Sequence, residues 1–270
     1  MRFLGITREP VFSPGKFLEA DRAVLELVAA ELRGRGHAVD VVAADDPWPE
    51  PIDDTVVFTM CQGPAALARL ARWHDRGVRI VNTPEGILNC QRHRTVERFA
   101  HSGLPFPDTV LVDTGTTAPA PAWVGDGAWI KRGDVHATDA DDVVRVDDAA
   151  GVRAALQRFH ARGIARAVIQ RHLEGIVLKF YAVRGRFFFC VPPEDTPPPP
   201  PAVLTAIDAL GRQGAERLGV EVYGGDCVWG RNDRLSLIDL NDWPSYRACR
   251  SSAAQHIAAY LIDLGERTPT

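Results

Sequence analysis

Val222-Tyr-Gly-Gly-Asp226-Cys-Val-Trp229 is followed closely by Leu235-Ser-Leu-Ile-Asp239-Leu-Asn241-Asp-Trp-Pro-Ser245. Both segments read as buried strands that carry oxygen ligands. Asp239 and Asn241 are two residues apart, so on a strand they point to one face. Asp226 sits opposite them on a neighbouring strand. Three oxygen donors on adjacent strands suit a hard cation such as Mg2+, which takes few protein ligands and fills its octahedron with phosphate and water. The pattern therefore suggests a nucleotide–metal site; the alternative is a hairpin with acidic turn residues.

The rest of the chain bounds what such a site serves. A length of 270 residues allows a sizeable core with two or three subdomains. The net charge of -4 gives no electrostatic case for nucleic acid or a membrane surface. Lysine is confined to Lys16, Lys131 and Lys179, with arginine supplying nearly all the positive charge, which makes each lysine a place to look for function. The cysteines (Cys61, Cys90, Cys190, Cys227, Cys249) are scattered, without zinc spacing, and read as reduced thiols of a cytoplasmic protein. No apolar run approaches the ~20 residues of a spanning helix, and the N-terminal run is too short for a signal peptide.

Residues 2–6, 37–43, 55–60 and 78–81 read as strands alternating with helices over 19–34 and 64–76. That alternation implies a parallel sheet with crossover helices. A helix over 85–102 then leads into Gly103-Leu-Pro-Phe-Pro, a natural boundary. Strands at 128–131, 143–146, 167–172, 177–183 and 186–191, with one helix over 150–162, read as an antiparallel α+β piece. Pro197–Pro201 reads as an extended surface linker. A helix over 202–219, the two acidic strands and a helix over 251–264 close the chain.

On Asp226, Asp239 and Asn241, with Asp239-Leu-Asn-Asp-Trp-Pro-Ser close to an acidic-x-Asn-x-x-Pro-Gly motif, the sequence resembles the ATP-grasp superfamily, in particular its glutathione synthetase and ribosomal S6 modification-type ligases. It departs at Ser245, where Gly is common. The resemblance implies a fold of mixed α/β and α+β character in three parts. Residues 1–103 form an N-terminal parallel α/β substrate domain, 104–173 a small central lid, and 174–270 a C-terminal α+β subdomain for nucleotide and metal. It further implies ATP with Mg2+, or Mn2+ in its place, a small anionic or carboxylate acceptor, and a homodimer.

Residue by residue, the resemblance assigns a nucleotide site. Lys131, ending the strand Ala-Trp-Ile-Lys, matches a phosphate-contacting lysine; otherwise it is a lysine that snorkels to solvent. Arg92 stands where a second family lysine is expected, with Arg94 as its rival. The swap keeps charge and changes geometry. The loop Arg132-Gly-Asp134-Val-His136-Ala-Thr is shorter than the family's glycine-rich flap. Either the lid is reduced, or Asp134 and His136 replace its backbone amides, although an ordinary loop histidine fits His136 equally. Val168-Ile-Gln170-Arg171-His172-Leu173-Glu174-Gly175 resembles the hinge along adenine. There the backbone from Gln170 to Leu173 reads the base edge and Glu174 accepts from the ribose.

Lys179 occupies a position where many relatives carry an acyl-phosphate-contacting Arg. Gly175-x-x-x-Lys179-x-Tyr-x-Val is closer to the inositol trisphosphate 5/6-kinase branch, as are His136 and Asp239-Leu-Asn-x-x-Pro. Loops at the C-terminal ends of parallel strands bind ligands, so Arg8, Ser13 and Lys16 after the first strand are acceptor candidates, with Ser245 and Arg247 on the other side; a solvated polar loop explains the first group equally well. The chemistry implied is Mg2+-assisted transfer of the ATP γ-phosphate, with Lys131 and Lys179 as the catalytic candidates. A carboxylate acceptor makes this a carboxylate–amine ligase acting through an acyl-phosphate, which family base rates favour. A hydroxyl acceptor makes it a small-molecule kinase, which Lys179 favours. A nucleotide-binding regulatory module is the non-enzymatic alternative.

Overall fold

The structure is a computed structural model that describes residues 1–13, 15–52, 54–116, 119–135 and 139–267, without the side chains of Lys16 and Phe17. His136 therefore lies outside the described residues, and of Lys16 only the backbone is described. Strand β1 (Arg2–Ile6), helix α1 (Lys16–Gly34), β2 (Ala38–Val42), β3 (Thr55–Thr59), α2 (Pro64–Asp75) and β4 (Arg79–Val81) form a parallel sheet of order β2-β1-β3-β4. The chain leaves β1 toward one edge and β3 toward the other. The crevice at the C-terminal ends of β1 and β3 is thus a topological switch point, where open parallel sheets bind ligands. Val24, Val28 and Leu32 of α1, at helical spacing, are fully buried, and each buried aliphatic side chain contributes about 1.5–3 kcal/mol.

The expected helix over 85–102 is two helices, α3 (Pro84–Asn89) and α4 (Arg92–Phe99). The Cys90 amide closes α3 onto Gly86 and Ile87 carbonyls, and Gln91 turns to an extended conformation before α4. Asn89 holds the break from both ends: its Nδ2 donates to Leu218 O and its carbonyl accepts from Thr95 Oγ1. As a result Arg92 sits in the first turn of α4 rather than mid-helix.

Next, β5 (Thr109–Asp113), β6 (Ala128–Arg132), β7 (Val143–Val146), α5 (Ala149–Ala161) and β8 (Arg166–Arg171) make an antiparallel sheet of order β5-β8-β6-β7 with its own core around Ile130, Leu156 and Phe159. The third sheet holds β9 (Ile176–Val183), β10 (Phe187–Val191), β11 (Val222–Trp229) and β12 (Leu235–Asp242), in the order β10-β9-β11-β12. Helix α6 (Pro201–Leu218) covers one face against Leu178, Phe180 and Leu240. The proline run is not wholly linker: Pro201 opens α6 and Pro200 is its N-cap, where a missing N–H costs nothing. Helix α7 (Arg250–Glu266) returns to the first sheet. It shares a core with α1, with Tyr181 and Val183 of β9, and with buried Trp243 and Tyr246. The switch-point crevice is thereby held against the free end of β11 and β12. No described helix is long and apolar enough to cross a membrane.

Candidate active site

Lys179, Asp226 and Asp239 form one row across three strands. Lys179 is the cross-strand partner of Asp226, and Asp226 of Asp239. Lys179 Nζ donates to Asp226 Oδ1 at 2.7 Å. Asn241 lies two residues beyond Asp239 and opposite Gly224. Glycine at 225 is a matter of space: a Cβ there would stand 2.5 Å from Asp239 O and 2.7 Å from the Phe180 ring. The pairing steps from Asp226↔Asp239 to Cys227↔Leu237, so Ile238 is the extra residue of a β-bulge. A bulge turns a carbonyl out of the ladder, and here Ile238 O accepts from Lys131 Nζ at 3.2 Å.

Two cavities meet at this row. The first, about 360 Å3, lies between the middle and third sheets and is lined by Trp129, Lys131, Leu173, Val177 and Ile238 among others. Arg92, Asp226 and Asp239 line both cavities. Lys131 is buried, with Nζ 2.8 Å from Gln170 Oε1. Gln170 therefore orients the lysine through its side chain. Of the hinge amides, Arg171 N–H donates to Asp108 O and His172 N–H to Gly127 O, whereas the Leu173 amide takes part in neither bond. The Arg171 guanidinium pairs outward with Asp108 and Asp126. His172 accepts from Trp129 Nε1 at 3.1 Å, and its Nε2 lies 3.1 Å from exposed Glu174. Asp134, a candidate to replace flap amides, is engaged within its own loop. Arg132 holds both its oxygens, at 2.7 and 2.9 Å.

The second cavity, about 270 Å3, fills the switch-point crevice and is lined by Arg8, Gln62, Lys179, Asn241, Asp242 and Ser245, among others. Arg8 is largely committed: Nη1 donates to Asp21 at 2.9 Å, Nε to Met60 O and Nη2 to Trp243 O. Ser13 is buried and its Oγ donates to Asp21, so its hydroxyl supports the wall instead of facing an acceptor. Arg247 is exposed and outside the lining. Of the two arginines weighed at the start of α4, Arg92 is the one in the site. Its Nη2 lies 2.9 Å from Asp239 Oδ2, and its Nη1 reaches Arg132 O and Val135 O. Asp21, Gln62 and Asp242 escaped sequence reasoning. Gln62 follows β3 into the switch point, and applying to β3 the loop argument used for β1 finds it.

Burial pushes Asp239 up, but Arg92 and Lys131 outweigh it and hold the carboxyl at about 2. Burial brings Lys131 down to about 8 against the pull of Asp239. Burial pulls Lys179 down too, yet Asp226 leaves it above the ordinary lysine range. Burial raises Asp242 to about 6. Among the described residues no three His, Cys, Asp or Glu side chains converge. The row instead offers two carboxylates and one amide on a single open face. That donor set fits Mg2+, which is held by one or two carboxylates with phosphate and water.

No protein-family model matches the chain, and no curated protein matches it in sequence. Solved structures do match. A D-alanine–D-alanine ligase from Bacillus anthracis complexed with ATP superposes with TM-score 0.72 at 11% identity, over 98% of this chain and 99% of that one. The ligase of the same name from Coxiella burnetii gives 0.73 at 11% identity, over 98% and 96%. A RimK-domain ATP-grasp protein from Sphaerobacter thermophilus DSM 20745 gives 0.71 at 20% identity, over 97% and 100%. Over nearly its whole length, the chain has the ATP-grasp fold.

Proposed function

We propose that this protein is an Mg-ATP-dependent carboxylate–amine ligase that activates a small carboxylate as its acyl-phosphate. The observation that carries the reading is the meeting of two cavities at Asp226, Asp239 and Arg92. A nucleotide in the first cavity, with its base at the Leu173 amide, directs its phosphates along Lys131 and Arg92 to the row. An acceptor in the second cavity approaches from the other side. Asp226, Asp239 and Asn241 would hold Mg2+, which when bound neutralises charge on the β- and γ-phosphates. Lys131, fixed by Gln170 and the Ile238 carbonyl, is a preorganised phosphate contact. Arg92 and Lys179 turn from their carboxylates to phosphate oxygens on either side of the transferred group. No side-chain nucleophile is needed, because the acceptor attacks the γ-phosphate. The resemblance to two D-alanine–D-alanine ligases, one of them complexed with ATP, supports the ligase over other ATP-grasp chemistries.

A small-molecule kinase is the second reading, favoured by Lys179 standing in the acceptor cavity. The test is Mg-ATP with pooled carboxylates, amines and polyols, with ADP release and product mass read together. A condensed product with free phosphate is expected. A product heavier by one phosphate makes the protein a kinase. Nucleotide binding without acceptor-stimulated ADP release refutes both and leaves a regulatory module.

A further inference from the structure

Each of the three sheets leaves a strand at either edge. An edge strand offers unpaired backbone N–H and C=O groups to other chains, and proteins protect such edges with charged side chains. Here β2 carries Asp40, β4 Arg79, β5 Asp113, β7 Arg145 and β12 Asp239. The remaining edge, β10, reads Phe187-Phe-Phe-Cys-Val191 and carries no charge. None of its residues is fully buried, and Phe189 is 39% exposed. Its ladder runs to β9 on one side, and among the described residues no backbone hydrogen bond meets the other side. The segment over 192–201 that follows is mostly proline, which lacks the N–H a ladder needs.

We infer that β10 is the surface on which two copies of this chain associate, pairing antiparallel across a twofold axis to join their third sheets into one. Two features select a second copy as the partner. The strand is self-complementary: with Phe189 on the axis, Phe187 of each copy faces Val191 of the other and Phe188 faces Cys190, and the prolines fall just outside the pairing. Phe187 and Val191 flank the core shared by α1 and α7, while Phe188 and Cys190 flank the core under α6. Both cores therefore continue across the axis. The ends of the strand also carry opposite charge. Arg184 precedes it, exposed and only loosely paired with Glu221 at 3.8 Å. Glu194 and Asp195 follow it, exposed and without a salt bridge among the described residues. Antiparallel pairing sets Arg184 of each copy opposite Glu194 of the other, whereas parallel pairing would bring like charges together. A strand this short makes a small interface, so a dissociation constant of about 1–100 µM is expected. No residue of β10 lines the nucleotide or acceptor cavity, so the association stands independently of the chemistry proposed above.

The experiment is sedimentation velocity on the full chain from about 1 to 200 µM, a range that brackets the expected constant. Wild type should pass from monomer to dimer across it. Phe189→Lys, at a position exposed enough to accept the charge, sets two like charges against each other on the axis and should weaken association by at least about tenfold. Binding of a fluorescent ATP analogue confirms that the variant is folded. Phe189→Cys gives a second test. Opposed residues of antiparallel strands have Cα atoms about 4.5–5.5 Å apart, within reach of a disulfide. This variant should form a covalent dimer on mild oxidation, and wild type, whose Cys190 faces Phe188 instead, should not. A wild type that stays monomeric overturns the inference and leaves the edge to a strand of another protein. A dimer that Phe189→Lys leaves as tight as before, or a Phe189→Cys variant that does not cross-link, overturns it as well.

Discussion

Arg92 and Asp239 are 9% and 16% exposed, 2.9 Å apart, and face each other across the junction of the two cavities. Removing one partner of such a pair leaves the other as an uncompensated buried charge, at a cost of about 3–5 kcal/mol. Asp239→Ala is expected at the upper end. It strands Arg92, whose Nε already lacks a partner, and withdraws the charge that favours ionised Lys131. In a chain of this size that lowers Tm by about 10–20 °C. Arg92→Met strands Asp239 less completely, because Lys131 and Lys179 remain near it. The double variant Arg92→Met/Asp239→Ala strands neither charge. Its cost should fall short of the sum of the single costs by about 2–3 kcal/mol. The assay is urea unfolding followed by circular dichroism in EDTA, free of nucleotide, on the four proteins of the cycle. Costs that add to within about 0.5 kcal/mol would refute the reasoning, because two residues that do not share a buried pair behave that way. In the proposed complex Asp239 holds the metal and Arg92 meets the phosphates, so Mg-ATP should stabilise wild type by more than it stabilises the double variant, which lacks both contacts.

Lys131, brought down by burial to about 8, should make nucleotide binding pH-dependent. Phosphate favours its charged form, so affinity falls by about tenfold per pH unit above pH 8, and calorimetry at pH 8.5 in buffers of different ionisation enthalpy detects proton uptake on binding. Between about pH 8 and its ordinary value of 10.5, the unfolded lysine holds a proton the folded one has lost. The stability of the nucleotide-free protein therefore gains from this group as pH rises through that window, and Lys131→Met should abolish both effects. Gly225→Ala drives a methyl into Asp239 O and Phe180. It should cost about 1–3 kcal/mol and weaken metal-dependent nucleotide binding more than metal-free binding; equal weakening would mean that β11 and β12 do not set the metal face.

What could be read from the sequence followed local periodicity. Asp239 and Asn241 share a face because strands alternate, and the parallel sheet follows from strand–helix–strand order. What could not be read depended on contacts far apart in the chain. The break between α3 and α4 carries no Gly or Pro; it is held by Asn89 reaching Leu218, 129 residues away. Arg8 and Ser13 looked like ligand-facing polar residues of a loop, but Asp21 engages both. The bulge at Ile238, which aims a carbonyl at Lys131, leaves no composition signal because no Gly or Pro lies in β12 to mark it.

The central claim is that the row of Asp226, Asp239 and Asn241 holds the metal where nucleotide and acceptor meet. The most direct test is a crystal structure grown with Mn2+ and a non-hydrolysable ATP analogue, with the metal located by anomalous scattering. The account predicts manganese bound to these three side chains, the base against Leu173 and the terminal phosphate facing Lys179. Nucleotide bound with its metal away from this row, or with its phosphates directed away from the second cavity, would contradict it.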